Sequence, residues 1–184
     1  DDEAGPGGDG SGVAGRAPAR KAGPVCLLCV ATVTPRKGHA LLLQALAGLQ
    51  GPPCLPWQLH CVGSLTRDPA TADHVQAMAR RPALAGRVFW HGEVGAAALQ
   101  AHYASADLLV LASLHEGYGM VVAEALAAGL PVLASDAGAL AQTLPAQAGW
   151  RVPPGDVPAL QAALQRLIGE PALRERLAAG AREA

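Results

Sequence analysis

Residues 107–135 have the sequence DLLVLASLHEGYGMVVAEALAAGLPVLAS. The apolar run at 107–113 has the length of a buried strand, and residues 119–129 combine good helix formers with no proline. A turn with Gly117 separates these segments, Gly119 begins the second of them, and a further apolar run follows at 131–135. Because strands joined through a helix pair in parallel, this stretch predicts one strand–helix–strand unit of a parallel sheet.

The same alternation of apolar runs and helix-like segments extends from Pro24 to the C-terminus. Predicted strands occupy 25–33, 57–63, 87–92, 107–113, 131–135 and 149–152. Predicted helices lie near 38–49, 70–81, 95–104, 119–129, 139–144, 156–169 and 171–183. This order predicts an α/β fold, a Rossmann-like doubly wound parallel sheet with helices on both faces. Such sheets bind ligands at the carboxyl ends of their strands.

The length of 184 residues suits one domain, which we place at residues 24–184. Residues 1–23 contain seven glycines and neither leucine nor isoleucine. Such a composition buries too little apolar surface to offset chain entropy. We therefore interpret residues 1–23 as a flexible linker.

Charge and hydropathy exclude several classes of partner. Fourteen basic and fifteen acidic residues give a net charge of -1, without a long basic cluster, so the sequence predicts no nucleic-acid binding. No apolar run approaches the ~20 residues that cross a bilayer, so we expect no transmembrane segment. We expect a cytoplasmic protein, with the cytoplasmic face of a membrane as the alternative location.

The four cysteines are Cys26, Cys29, Cys54 and Cys61. The Cys26-x-x-Cys29 spacing leaves a zinc or redox site as one alternative. A strand directs positions three apart to opposite faces, however, so Cys26 and Cys29 could not share a metal ion. The pattern favours free cysteines that serve as small core residues.

The turn before the helix at 119–129 carries the features of an anion site. Gly117 and Gly119 allow a ligand to approach the backbone, and a helix N-terminus offers unpaired N–H groups and a positive dipole end. Glu124 lies in a helix so apolar that we expect its carboxylate to be largely buried. A buried carboxylate needs partners, which are either the hydroxyls of a bound sugar or hydrogen-bond donors of the protein interior.

At this point the chain resembles the retaining glycosyltransferases of the GT-B architecture, often called family 4, which carry a Glu-x7-Glu motif. Glu116 and Glu124 have that spacing and are followed by ALAAGLPV, which is similar to the usual continuation. The segment TPRKGH at 34–39 resembles the first loop of the family, and VPPGD at 152–156 resembles its late loop. The resemblance covers the chain from Val25 onward and implies one half of a GT-B fold.

The resemblance implies a role for each residue of the motif. Glu116 would lie beside the donor sugar, and Glu124 would hold the ribose. The intervening turn would contact sugar and diphosphate through its backbone N–H groups, at Gly117, Tyr118, Gly119 and Met120. Because Glu124 should be occupied with ribose and distant from the sugar, the two carboxylates are not expected to act as a glycosidase pair.

Lys37 is the predicted cation for the diphosphate, since its ammonium could reach a phosphate as a point charge. Many members also carry an arginine about five residues earlier, but Thr32 stands there. Either Arg36 replaces that contact or Arg36 is an ordinary surface residue of a turn.

The segment His91–Val94 resembles the part of the family that lies against the nucleobase, so Gly92 and Val94 are predicted to bind substrate. Gly63 and Ser64 are either further lining of the cleft or a simple turn after a strand. Asp136 and Gly138 follow the fifth predicted strand, and they either contact the sugar or form a simple turn. The six histidines have no metal-ligand spacing, so we expect structural roles, with His60 in the core and no metal site.

The resemblance therefore implies a hexosyltransferase-type retaining enzyme that needs no cofactor and binds a nucleoside-diphosphate sugar as donor. The acceptor-binding domain would lie before Asp1, so the chain alone is expected to bind donor without efficient transfer. Two alternatives stay open, a sugar-nucleotide epimerase of the same architecture and a non-catalytic nucleotide-binding module. A phosphorylase would need a pyridoxal-phosphate lysine motif, which we do not find.

Overall fold

The computed structural model describes residues 23–49, 56–114, 119–136 and 143–184. The strands within these ranges are β1 (Val25–Val30), β2 (Trp57–Val62), β3 (Val88–Gly92), β4 (Leu108–Leu111), β5 (Val132–Ser135) and β6 (Gly149–Val152). The helices are α1 (His39–Ala47), α2 (Pro69–Ala79), α3 (Ala96–Ser105), α4 (Gly119–Ala127), α5 (Val157–Gly169) and α6 (Pro171–Glu183). A short 3-10 turn at Pro35–Lys37 precedes α1.

The strands form one parallel sheet in the order β3-β2-β1-β4-β5-β6. The chain builds outward from β1 to β3, returns to the centre, and builds outward again from β4 to β6. The reversal lies between β1 and β4, where Leu27 is paired with Leu108 and Leu28 with Leu109. In a doubly wound sheet, the loops that diverge at this reversal form the crevice in which ligands bind.

Each face of the sheet carries its own apolar core, because successive strand residues point to opposite faces. Leu27 and Cys29 belong to the core that also contains the buried residues of α1, α2 and α5. Leu28 belongs to the opposite core, together with Tyr103 of α3 and Val122 of α4. This double burial explains why β4 and β5 are apolar at nearly every position.

The predicted order of six strands and the Rossmann-like doubly wound fold are confirmed. The cysteine interpretation also fits, because Cys29 and Cys61 are buried, Cys26 is half-buried, and all three are free thiols. Several predictions fall on parts of the chain outside the described residues. These are the linker, apart from Gly23, most of the helix predicted at 139–144, and Cys54.

Candidate functional site

The loops after β1 and β4 are joined directly at the carboxyl edge of the sheet. The backbone N–H of Leu114 donates a hydrogen bond of 2.8 Å to the carbonyl oxygen of Arg36. Leu114 also lies against the late loop, since a Cβ built on Gly155 would stand 3.5 Å from its Cδ2 atom. The three segments that carry the family resemblance therefore meet around one residue.

Gly38 sets how closely the first loop can approach β4. Its φ angle is +75°, a left-handed conformation that glycine adopts without strain. A Cβ at this position would overlap the carbonyl group of Ala112. The residue after Lys37 must therefore be glycine for the loop to pack in this way.

The carboxyl ends of β1, β2 and β3 are tied together in the same manner. The N–H of Val33 donates to the carbonyl of Ser64 at 3.0 Å, and the N–H of Gly63 donates to the carbonyl of Gly92 at 2.9 Å. Val94 is half-buried and packs against the core on the α3 face. The predicted nucleobase segment, Gly92 and Val94, therefore lies at the end of β3 and is separated from the first loop, after β1, by the end of β2.

Lys37 is half-buried at the end of the 3-10 turn. Its backbone N–H donates to the carbonyl of Thr34 at 3.1 Å, which fixes the turn that precedes α1. Arg36 is exposed and Thr32 is half-buried. Lys37 therefore follows Arg36, the residue that contacts Leu114. Leu114 in turn stands two positions before Glu116 in the sequence.

Glu116, Gly117 and Tyr118 lie outside the described residues, so the structure does not test their predicted roles. The helix that follows them begins at Gly119, as the sequence predicts. Met120 is 77% exposed, which is unusual for a large apolar side chain. The side chain of Met120 is thus accessible to solvent in the first turn of α4.

Glu124 is half-buried, whereas the sequence predicts that its carboxylate is largely buried. Val122 and Ala125 face the core, whereas Met120 and Ala123 are exposed, because α4 covers the sheet with only one side. The apolar composition of α4 therefore does not bury every position along the helix.

The partner of Glu124 is a tyrosine that sequence reasoning missed. The hydroxyl of Tyr103, a residue that is 1% exposed, donates a hydrogen bond of 2.9 Å to Oε2 of Glu124. Burial raises the pKa of Tyr103 above its ordinary value, and the hydrogen bond to Glu124 raises it further. Because a carboxylate has about four lone-pair sites, this contact leaves acceptor capacity for a ligand.

Asp136 is exposed after β5, and its carboxylate lies 3.9 Å from the guanidinium of Arg151. An ion pair of this exposure contributes little to stability. Gly138, the other residue considered for sugar contact, lies outside the described residues.

The histidines separate into different environments. His39 is buried, with Nε2 3.8 Å from the thiol of Cys29, which fits the structural role expected of it. His60 was expected in the core, but it is half-buried and faces His91 and His102. Burial lowers the pKa of His60, and the charges of His91 and His102 lower it further. The three residues come from β2, β3 and α3, so linear spacing could not reveal the group.

No helix in the described ranges is both long enough and apolar enough to cross a membrane.

Comparisons with known proteins identify the family of the chain. The family model described as "Glycosyl transferases group 1" matches residues 24–170. A phosphatidyl-myo-inositol mannosyltransferase from Mycobacterium leprae is 37% identical over 153 residues, which are 82% of this chain and 38% of the relative. The chain spans between 35% and 38% of the length of the first three curated relatives.

Solved structures share the fold. Sucrose-phosphate synthase from Thermosynechococcus elongatus is 33% identical and superposes with a TM-score of 0.75, over 87% of this chain and 40% of that protein. The Anabaena protein HepE, solved in complex with UDP-glucose, is 23% identical with a TM-score of 0.76, over 87% and 43% of the two chains. These neighbours confirm the fold as one half of a GT-B architecture, and with the family match they show that the chain belongs to the glycosyl transferases group 1 family.

Proposed function

We propose that this chain is the donor-binding domain of a retaining glycosyltransferase, which takes a nucleoside-diphosphate sugar and transfers its sugar to an acceptor held by a second domain. The observation that carries the proposal is the meeting of three segments around Leu114. Its N–H bonds to Arg36, beside Lys37, and its side chain lies near Gly155. This junction stands at the sheet reversal, where doubly wound domains bind ligands.

The diphosphate would bind between Lys37 and the first turn of α4. The ammonium group would supply a full positive charge, and the N–H groups at the helix N-terminus would supply hydrogen bonds and the positive end of the dipole. Negative charge increases on the diphosphate as its bond to the sugar breaks. These fixed groups would stabilise that charge without a metal ion, because they are already oriented before the reaction begins.

Glu124 would accept hydrogen bonds from the ribose hydroxyls. Tyr103 occupies Oε2 and fixes the rotamer of the carboxylate, so that the remaining lone pairs point in a defined direction. Gly92 and Val94 would form the wall beside the nucleobase. Glu116 would orient the sugar and favour its developing positive charge, while the leaving diphosphate assists attack on the same face.

The test is calorimetric titration of the chain with UDP, GDP and ADP, and with sugar nucleotides of each base, in the presence and absence of a chelator. We expect one of the three bases to bind, with an affinity that the chelator does not change. Failure of all three to bind, or an absolute requirement for a divalent ion, would overturn the proposal.

A second measurement addresses the non-catalytic and epimerase alternatives. A protein that joins this domain to an acceptor-binding domain should release the nucleoside diphosphate as it transfers or hydrolyses the sugar. A protein that binds the donor and never releases the sugar would be a binding module. One that returns the donor with an inverted sugar carbon would be an epimerase.

A further inference from the structure

Three histidine side chains converge beside the strand end that carries the proposed nucleobase wall. They are His60 of β2, His91 of β3 and His102 of α3. One ring nitrogen from each lies within 4.8 Å of the other two. The closest pair is His60 Nδ1 and His91 Nε2, at 2.9 Å. His91 directly precedes Gly92 of the proposed nucleobase wall, but none of the three histidines is itself assigned a role in donor binding.

The surroundings keep the group both ordered and accessible. The ring of Phe89 stacks on that of His60 with centroids 4.9 Å apart and an angle of 14° between the planes. His91 is exposed, and the other two histidines are half-buried. A small ion could therefore enter from solvent, while the sheet holds two of the three side chains on neighbouring strands.

We propose that His60, His91 and His102 bind a divalent transition-metal ion of the zinc type, with water completing its coordination. Three imidazoles favour Zn²⁺, Ni²⁺, Cu²⁺ or Co²⁺ over the oxygen-preferring Mg²⁺ and Ca²⁺. Nitrogens bound to one tetrahedral zinc at ~2.1 Å stand about 3.4 Å apart. The observed spacing of 2.9 to 4.8 Å brackets that distance.

Metal binding requires only small movements of these rings. One of His60 and His91 donates a hydrogen bond to the other across their 2.9 Å contact. The ion would replace this hydrogen bond, the donated proton moving to the other nitrogen of its own ring, as the two bound nitrogens separate by a few tenths of an ångström. His102 lies in the second half of α3 and would approach by a rotation of its side chain. The bound ion would link the edge strand β3 to β2 and α3, and would stabilise the folded domain by mass action.

The test uses the 184-residue chain without a polyhistidine tag, stripped of metal by a chelator. Titration with Zn²⁺ should reveal one site per chain, and Zn²⁺ should raise the melting temperature. His60→Ala, His91→Ala and His102→Ala should each weaken Zn²⁺ binding by at least ~10-fold. Even the loss of a residue that only hydrogen-bonds to a metal ligand weakens metal affinity by about 10-fold or more. His74→Ala is the matched control, because His74 is exposed on α2 and outside the group.

The spectrum of the Co²⁺-substituted chain identifies the ligands. Nitrogen and oxygen coordination without a sulfur-to-metal charge-transfer band supports the site, whereas a sulfur band would assign the ion to the cysteines. If His91→Ala, a change at an exposed position, binds Zn²⁺ as tightly as His74→Ala, the proposal is wrong. Nucleoside-diphosphate affinity, measured with His102→Ala, should not change, so failure here is distinguishable from failure of the proposed function.

Discussion

Tyr103 and Glu124 form a hydrogen bond of 2.9 Å that joins α3 to α4 on one face of the sheet. The tyrosine is almost fully buried, whereas the carboxylate it holds is half-buried and reachable by a ligand. The contact therefore connects the core to a group that we assign to ribose binding. It makes the position of Glu124 dependent on packing that the Glu-x7-Glu spacing does not reveal.

We expect Glu124→Gln to weaken nucleoside-diphosphate binding by about 1.5 to 3 kcal/mol, the range of hydrogen bonds to charged groups. The amide keeps the shape of the side chain but loses the charge and one acceptor atom. Calorimetry measures the affinity, and urea unfolding of the same variant measures stability. Unchanged affinity with reduced stability would mean that Glu124 has only a structural role.

Tyr103→Phe should alter the pH dependence of stability. The folded state raises the pKa of Tyr103 above its ordinary value of 10.0, so above pH 10 the unfolded chain loses this proton more readily than the folded one. The stabilisation that Tyr103 contributes is fully present below pH 10 and is lost as the pH rises toward the pKa of Tyr103 in the folded state. Urea unfolding between pH 9 and 11 should show a shallower decline for the variant, and equal slopes would contradict this account.

Lys37→Ala should weaken nucleoside-diphosphate binding by about 1.5 to 3 kcal/mol, because a charge-assisted contact to phosphate is lost. The difference between wild type and variant should shrink as salt is added, since salt screens the interaction. Affinity for the free nucleoside should not change. Equal losses for the nucleoside and its diphosphate would show that Lys37 does not bind phosphate.

Glu116→Ala separates catalysis from binding. If Glu116 contacts the sugar, affinity for the free nucleoside diphosphate should remain near that of wild type. In a protein that carries both domains, kcat should fall ~100-fold to 1,000-fold, the usual effect of removing one preorganised electrostatic contact, with a smaller change in KM. Wild-type transfer by the variant would remove Glu116 from the mechanism.

Gly38→Ala should destabilise the domain more than Gly86→Ala. Both glycines have positive φ angles, +75° and +77°, so both substitutions carry about 1 to 2 kcal/mol of left-handed strain. Only at Gly38 does the new Cβ overlap a neighbour, the carbonyl of Ala112, which should add ~1 to 3 kcal/mol. Urea unfolding of the two variants measures the difference, and equal losses would argue against tight packing of the first loop.

Local periodicity was sufficient to predict the fold. The runs that became β4 and β5 are apolar over strand length and separated by a helix without proline, so a parallel sheet follows from residues close in sequence. The relative positions of the loops could also be predicted, because the carboxyl ends of parallel strands lie at the same edge of the sheet. Lys37 and Leu114 could therefore be expected near each other, although no pattern predicts the hydrogen bond between Arg36 and Leu114.

The contacts that sequence reasoning missed depend on packing between distant elements. Tyr103 looks like an ordinary apolar residue of α3, and its hydroxyl finds Glu124 only after two helices cover the sheet. His60 and His91 become neighbours through the pairing of β2 with β3, and His102 arrives from a helix. Such groups form only where side chains of different elements point toward each other. The spacing of residues along the sequence does not show this.

The hydrogen bond between Leu114 and Arg36 uses main-chain atoms only. Substitutions at both positions can therefore keep the hydrogen bond between the two loops. Proline at position 114 is the exception, because it has no backbone N–H to donate. Under the proposed function, side chains that contact the donor around this junction can change while the main-chain connection between the two loops is kept.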